Sequence, residues 1–175
     1  QLENEYIYFD MESEKKEKFL RVRSDACIRN GIDVPLFTCV TSEVRGSHDP
    51  VISQLFDMDN QYVWWNMHEA KSRIEKLKAE QPNAPAFVCE LQGGWFSTVG
   101  GCLSEDSYLD GRHARGMALM AMAGGSTGLN YYMFFGGTHF AGWGARRMTT
   151  TYDYGAPLKE NGGVGEKYAA VKGIG

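Results

Sequence analysis

The sequence has 175 residues, of which 43% are hydrophobic, 23% charged and 13% aromatic. That apolar share excludes disorder as a global state, and the length fits one domain rather than two. The 18 basic and 22 acidic residues sum to a net charge of −4, which excludes a general affinity for nucleic acid or an anionic membrane, since both need a dense cationic face.

The first residues, 2–5, read as the end of a strand running from apolar to acidic. Residues from about 13 to 30 predict an amphipathic helix, with Phe19, Val22 and Ala26 as its buried stripe and Glu12/Lys16 and Glu14/Lys18 as pairs four apart. Gly31 fits the left-handed stop of that helix. The run VPLFTCV, 34–40, is continuously apolar, as suits a parallel strand covered on both faces. A polar loop follows, then YVWW, 62–65, as the next strand. Asn66 reads as an N-cap with Glu69 at the third helical position, opening a helix whose stripe is Ala70, Ile74 and Leu77 and which Pro82 ends. AFVCE, 86–90, is a short strand ending on an acid. Asp110 opens a well-buried helix that Gly124 and Gly125 end, with Met117, Met120 and Met122 read as core. GLNYYMFFG, 128–136, is the last strong strand; a glycine- and aromatic-rich loop follows, and 166–171 predict a final helix. Strict alternation of strands and helices predicts an α/β fold with a parallel sheet.

No run reaches the ~18 apolar residues of a membrane span, and no charged-then-apolar leader is visible. Cys27, Cys39, Cys89 and Cys102 are widely spaced without C-x-x-C. They read as small apolar core residues, and no metal site is expected.

Two carboxylates stand where apolar strands stop, Glu5 after QLEN and Glu90 after FVC. The C-terminal ends of parallel strands are where α/β folds keep their active sites. A strand-end Glu that caps a neighbouring helix or pairs with Arg is the plainer alternative. Their separation is 90 − 5 = 85 residues, about 2.7 units of a (β/α)8 barrel at roughly 31 residues per unit. Three strands apart, two acids face each other over a barrel mouth, the arrangement glycoside hydrolysis uses. Aromatic density near the strand ends suits a sugar, whose C–H face packs on flat rings. Glu3 competes with Glu5, but is expected to point away from the mouth.

The chain resembles the catalytic barrel of glycoside hydrolase family 35, the β-galactosidases. The resemblance rests on QLENEY (1–6), VPLFTC (34–39), CELQGGWF followed by GG (89–96 and 100–101), NYYMFFGGTHF (130–140) and TTTYDYGAPLKENG (149–162). It runs the whole length of the chain, with five pieces in the family's order. It implies a partial TIM (β/α)8 barrel with parallel strands: residues 1–175 as a single truncated domain, running from the end of strand four to after strand eight, with strands one to three absent. It implies Glu5 as general acid/base, Asn4 holding the sugar's 2-hydroxyl, Glu90 as nucleophile, and Tyr132 and Tyr154 lining the galactose pocket. The implied activity is retaining, exo-acting release of terminal β-D-galactose, without metal or organic cofactor. Retention expects the two carboxyls ~5–5.5 Å apart, against ~6.5–9.5 Å for inversion. The implied substrate is a β-galactoside oligosaccharide or glycoconjugate. No nucleic acid or membrane span is involved, and the missing barrel half is needed for a complete pocket. The implied location is extracellular, periplasmic or lysosome-like. A carbohydrate-binding relative that no longer hydrolyses and an inert barrel fragment are the alternatives.

The chain departs from the family pattern at Ile7, where a Gly is usual, at Gln92 in place of an aromatic, at His139 in place of Asn and at Gly155 in place of an acid. These bear on sugar and linkage rather than on reaction class. His139 stands open as a ligand, a pocket donor or a plain loop residue. Asp57-Met58-Asp59 reads as a turn; HEAKS lacks the second His of a zinc helix, having Ser72 there; GGSTG at 124–128 lacks the Lys of a phosphate loop.

Overall fold

The computed structural model describes residues 1–104 and 108–174. Five strands form one parallel sheet in the order of the chain: β1 (Glu3–Asn4), β2 (Phe37–Cys39), β3 (Phe56–Gln61), β4 (Phe87–Gln92) and β5 (Gly128–Tyr132). Helix α1 (Ser13–Arg29) joins β1 to β2, α2 (Met67–Glu80) joins β3 to β4, and α3 (Gly111–Ala123) joins β4 to β5. Between β2 and β3 the connection carries only a single 3-10 turn, Ile52–Gln54. Parallel neighbours joined by crossovers, each strand beside the next, are five consecutive strands of a TIM barrel, so the fold is a partial one. After β5 come a small antiparallel pair, β6 (Gly137–Thr138) with β7 (Thr151–Tyr152), and the short helix α4 (Lys167–Lys172). Among the described residues, no helix is long and apolar enough to cross a membrane.

The principal core lies between the sheet and its outer helices. The stripe Ala70, Ile74 and Leu77 of α2 and the stripe Met117, Ala118 and Ala121 of α3 close over Val88 and Leu91 of β4. Asp110 caps α3 as expected, accepting from the backbone N–H of Arg112 and His113. Asn66 stands before α2 but its side chain does not cap the helix as expected: it donates to Glu69 Oε2 at 3.2 Å and accepts from no backbone N–H of the first turn. Of the three methionines assigned to the core, Met117 is fully buried, Met120 packs against the cluster and Met122 is exposed.

Three expectations are corrected. Helix α1 exists, but its buried face is Lys16, Leu20 and Ser24, while Phe19 and Val22 are 38% and 57% exposed. Apolar residues lie on both sides of α1, and periodicity alone does not choose between them. The choice falls to Leu20, which enters the cluster of Leu2, Tyr6 and Ile52, and to Lys16, whose amine meets Glu43 and the Tyr6 ring while Glu12 takes Lys15. The third strand is Phe56–Gln61, not 62–65, and Asp57 and Asp59 lie within it rather than in a turn. Both aspartates point to the helix side and are satisfied there. Asp57 accepts from Arg45 Nε at 2.7 Å, Thr38 Oγ1 at 2.8 Å and Thr41 N at 3.0 Å, and Asp59 pairs with Arg73 at 2.6 Å. Ion pairing admits charge to a strand that a hydropathy pattern reads as polar loop. Finally, all four cysteines are free, but only Cys39 is buried, and Cys102 is exposed.

Candidate active site

At the C-terminal ends of the strands lies a cavity of about 480 Å³ lined by Asn4, Glu5, Tyr8, Tyr62, Glu90, Trp95, Phe96, Tyr132, Tyr152 and Tyr154. All five residues singled out in the sequence, Asn4, Glu5, Glu90, Tyr132 and Tyr154, line it together. Glu5 directly follows β1 and Glu90 lies near the end of β4, three strands away in the sheet. Glu3 accepts from Arg23 of α1 at 3.2 Å, on the helix side of the sheet.

Glu5 occupies left-handed backbone, φ 53, and its N–H donates to Cys39 O at 2.8 Å. A non-glycine residue there is strained by about 1 kcal/mol or more, held by its surroundings and found most often at functional sites. Its Oε1 accepts from Asn60 Nδ2 at 3.0 Å, and Asn60 Oδ1 accepts from the Cys39 thiol at 2.7 Å. Glu90 Oε2 accepts from the Tyr62 hydroxyl at 2.5 Å. Burial, the neighbouring Tyr154 and the bond to this carboxylate all push the Tyr62 phenol far up, so it stays protonated and donates. The hydroxyls of Tyr132 and Tyr152 meet at 2.9 Å, and burial likewise raises Tyr152 and Tyr154.

The loop after Glu90 explains its glycines. A Cβ on Gly94 would stand 1.7 Å from Tyr154 O, and one on Gly93 2.7 Å from Met133 O. Only glycine lets this loop pass between β5 and the Tyr154 turn. Lys167, buried, reaches across from α4 to donate to Gly93 O at 2.7 Å, and burial lowers its amine to about 8.

Gln92 is fully buried, accepts from Trp64 N at 3.0 Å and so fixes the chain beside the Trp64–Trp95 ring contact. His139 does not line the cavity; its ring packs at 5.3 Å on Tyr152, behind the wall. Ile7 lies in the exposed turn after Glu5, and Gly155 takes φ 61 beside Lys167.

Sequence reasoning missed Asn60, Tyr62 and Tyr152, together with the aromatic wall of Tyr8, Trp95 and Phe96. For Tyr62 a signal existed. It precedes Glu90 by 28 residues, close to one unit of roughly 31. Reading the strand as 62–65 put this tyrosine at the wrong end of its strand.

The chemistry available is two carboxyls from opposed strands in one open, aromatic-walled cavity, each held by a neutral donor. The chain matches the model of glycosyl hydrolases family 35 over residues 1–175. It is similar to the probable beta-galactosidase B of Aspergillus fumigatus, with 29% identity over 125 residues covering 69% of this chain and 12% of that protein. The probable beta-galactosidase B of Emericella nidulans shares 37% over 101 residues, covering 53% of this chain and 9% of that protein, and that of Talaromyces marneffei 36% over 96 residues, covering 53% and 9%. The matched segments thus span 12% or less of the length of these curated relatives. With the family model matching end to end, the chain belongs to glycosyl hydrolases family 35.

Proposed function

We propose that this chain is part of a retaining, exo-acting glycoside hydrolase that releases terminal β-D-galactose from oligosaccharides or glycoconjugates. The observation that carries the reading is the convergence of Glu5 and Glu90 on one cavity with Tyr132 and Tyr154. In the first step a Glu90 oxygen attacks the anomeric carbon as the glycosidic C–O bond breaks, and Glu5 delivers its proton to the departing oxygen. The Tyr62 hydroxyl occupies Glu90 Oε2, which leaves Oε1 as the attacking atom. In the second step Glu5 takes a proton from water, which displaces Glu90 and regenerates both groups. Asn4 holds the sugar's 2-hydroxyl, and the aromatic wall packs on its C–H face.

The remaining barrel strands complete the pocket from elsewhere in the full-length protein, and its location is extracellular, periplasmic or lysosome-like. The test is Glu90→Gly in the full-length protein with azide added. An α-galactosyl azide product supports Glu90 as nucleophile. Normal turnover by Glu90→Gln overturns it.

A further inference from the structure

We infer that Asn60 is the positioning residue for Glu5, deciding which of its two carboxyl oxygens carries the proton. This rests on the reading of Glu5 as the acid/base and adds to it a residue that the reaction itself does not name. Asn60 lies on β3 and is 4% exposed. Its neighbours Asp57 and Asp59 point outward to Arg45 and Arg73, so alternation turns Asn60 inward beneath the cavity. There its Nδ2 lies 3.0 Å from Glu5 Oε1 and 3.5 Å from Asn4 Oδ1.

An amide NH2 donates and never accepts. Glu5 Oε1 is therefore held as an acceptor in both protonation states, and the proton that leaves and returns is carried by Oε2. Without Asn60 the carboxyl is free to rotate and to carry its proton on either oxygen, so that only part of the population presents it to the leaving group.

The orientation of the Asn60 amide is itself set by a neighbour. The Cys39 thiol on β2 donates to Asn60 Oδ1 at 2.7 Å. The reverse orientation would turn the amide oxygen toward ionised Glu5, acceptor against acceptor. Cys39 of β2, Asn60 of β3 and Glu5, directly after β1, thus form one hydrogen-bonded chain.

Acid assistance matters in proportion to how poor the leaving group is. In the full-length protein, Asn60→Ala is expected to lower kcat/KM for an alkyl β-galactoside on the order of 10- to 100-fold, as loss of a hydrogen bond to a charged group does. For dinitrophenyl β-galactoside, whose leaving group needs no proton, kcat/KM, which reports the first step alone, should fall by less than about 3-fold. Asn60→Asp, nearly isosteric but without the donor, should show the same split and serves if the alanine variant folds poorly. Glu5→Ala on the same two substrates tests the underlying reading. If Glu5→Ala shows the split and the Asn60 variants lower both substrates alike, the positioning role is overturned while the acid/base reading stands. If Glu5→Ala shows no split, or the wild type hydrolyses neither substrate, the acid/base reading falls and the inference with it. The contact has a readout without substrate: the side-chain amide NMR resonances of Asn60 should shift in Glu5→Ala, and unchanged resonances overturn the contact.

Discussion

Glu90 carries the most specific claim at the scale of single residues. Glu90→Gln keeps the volume and removes the charge, so turnover of an aryl β-galactoside should fall roughly 10³-fold or more, equivalent to about 4 kcal/mol of barrier. Tyr62→Phe deletes the hydroxyl bound to Glu90 Oε2 and should lower kcat about 10- to 100-fold, measured on the same substrate. Glu5 and Glu90 were legible as acids where apolar strands stop, and Tyr132 and Tyr154 only through the family resemblance of the motifs that carry them. Asn60 was not, because an Asn in a polar stretch carries no period and acquires meaning only when its amide faces Glu5 at 3.0 Å. Tyr62 was hidden by the misplaced strand, since the buried ion pairs of Asp57 and Asp59 made β3 look like loop.

Connections between elements set the pocket's shape. The loop after β4 passes so near the Tyr154 turn that Gly94→Ala sets a Cβ against backbone oxygen. It should cost more than about 2 kcal/mol in thermal unfolding and lower activity, whereas Gly142→Ala, with open space around its Cβ, should leave both unchanged. His113 of α3 is fully buried; its Nε2 meets Trp64 O at 2.8 Å and its Nδ1 has no hydrogen-bond partner among the described residues. Burial lowers its pKa from the ordinary 6.5. The unfolded chain therefore takes up the proton first, so this contribution is present above about pH 6.5 and is lost as pH falls toward the folded pKa. The fall in Tm between about pH 7 and about pH 5 should be smaller in His113→Gln than in the wild type. Helix α2 was readable from its stripe, and α3 from both its cap and its stripe. The choice of face on α1 was not, because Leu20 and Phe19 are equally apolar in the sequence and only the cluster of Leu2, Tyr6 and Ile52 selects one.

For the molecule as a whole, apolar residues remain outside on α1 and the segment after it: Val22, Ile28, Ile32 and Val34 are between 45% and 60% exposed. Exposed apolar surface of this kind drives association. The isolated 175-residue chain should self-associate in sedimentation experiments, and Val22→Glu together with Ile28→Lys should shift it toward monomer. Monomeric wild-type chain at high concentration would sink the expectation.

Much of the plan was written in the chain itself. Alternating apolar strands and capped helices determined the parallel α/β order. The 85 residues between Glu5 and Glu90, 90 − 5, pointed to two acids three strands apart, as they are, because 85 lies nearest three average units of roughly 31 residues, although the single steps between strand starts, 37 − 3, 56 − 37, 87 − 56 and 128 − 87, vary from 19 to 41. What only the tertiary structure decided were the contacts made across strands: which face of α1 is buried, which carboxyl oxygen Tyr62 holds, and how Cys39, Asn60 and Glu5 line up. The physical reason is range. Periodicity and capping act within a few residues, so they are visible in a line of letters, whereas a hydrogen bond between neighbouring strands joins residues tens of positions apart and exists only after the sheet has formed.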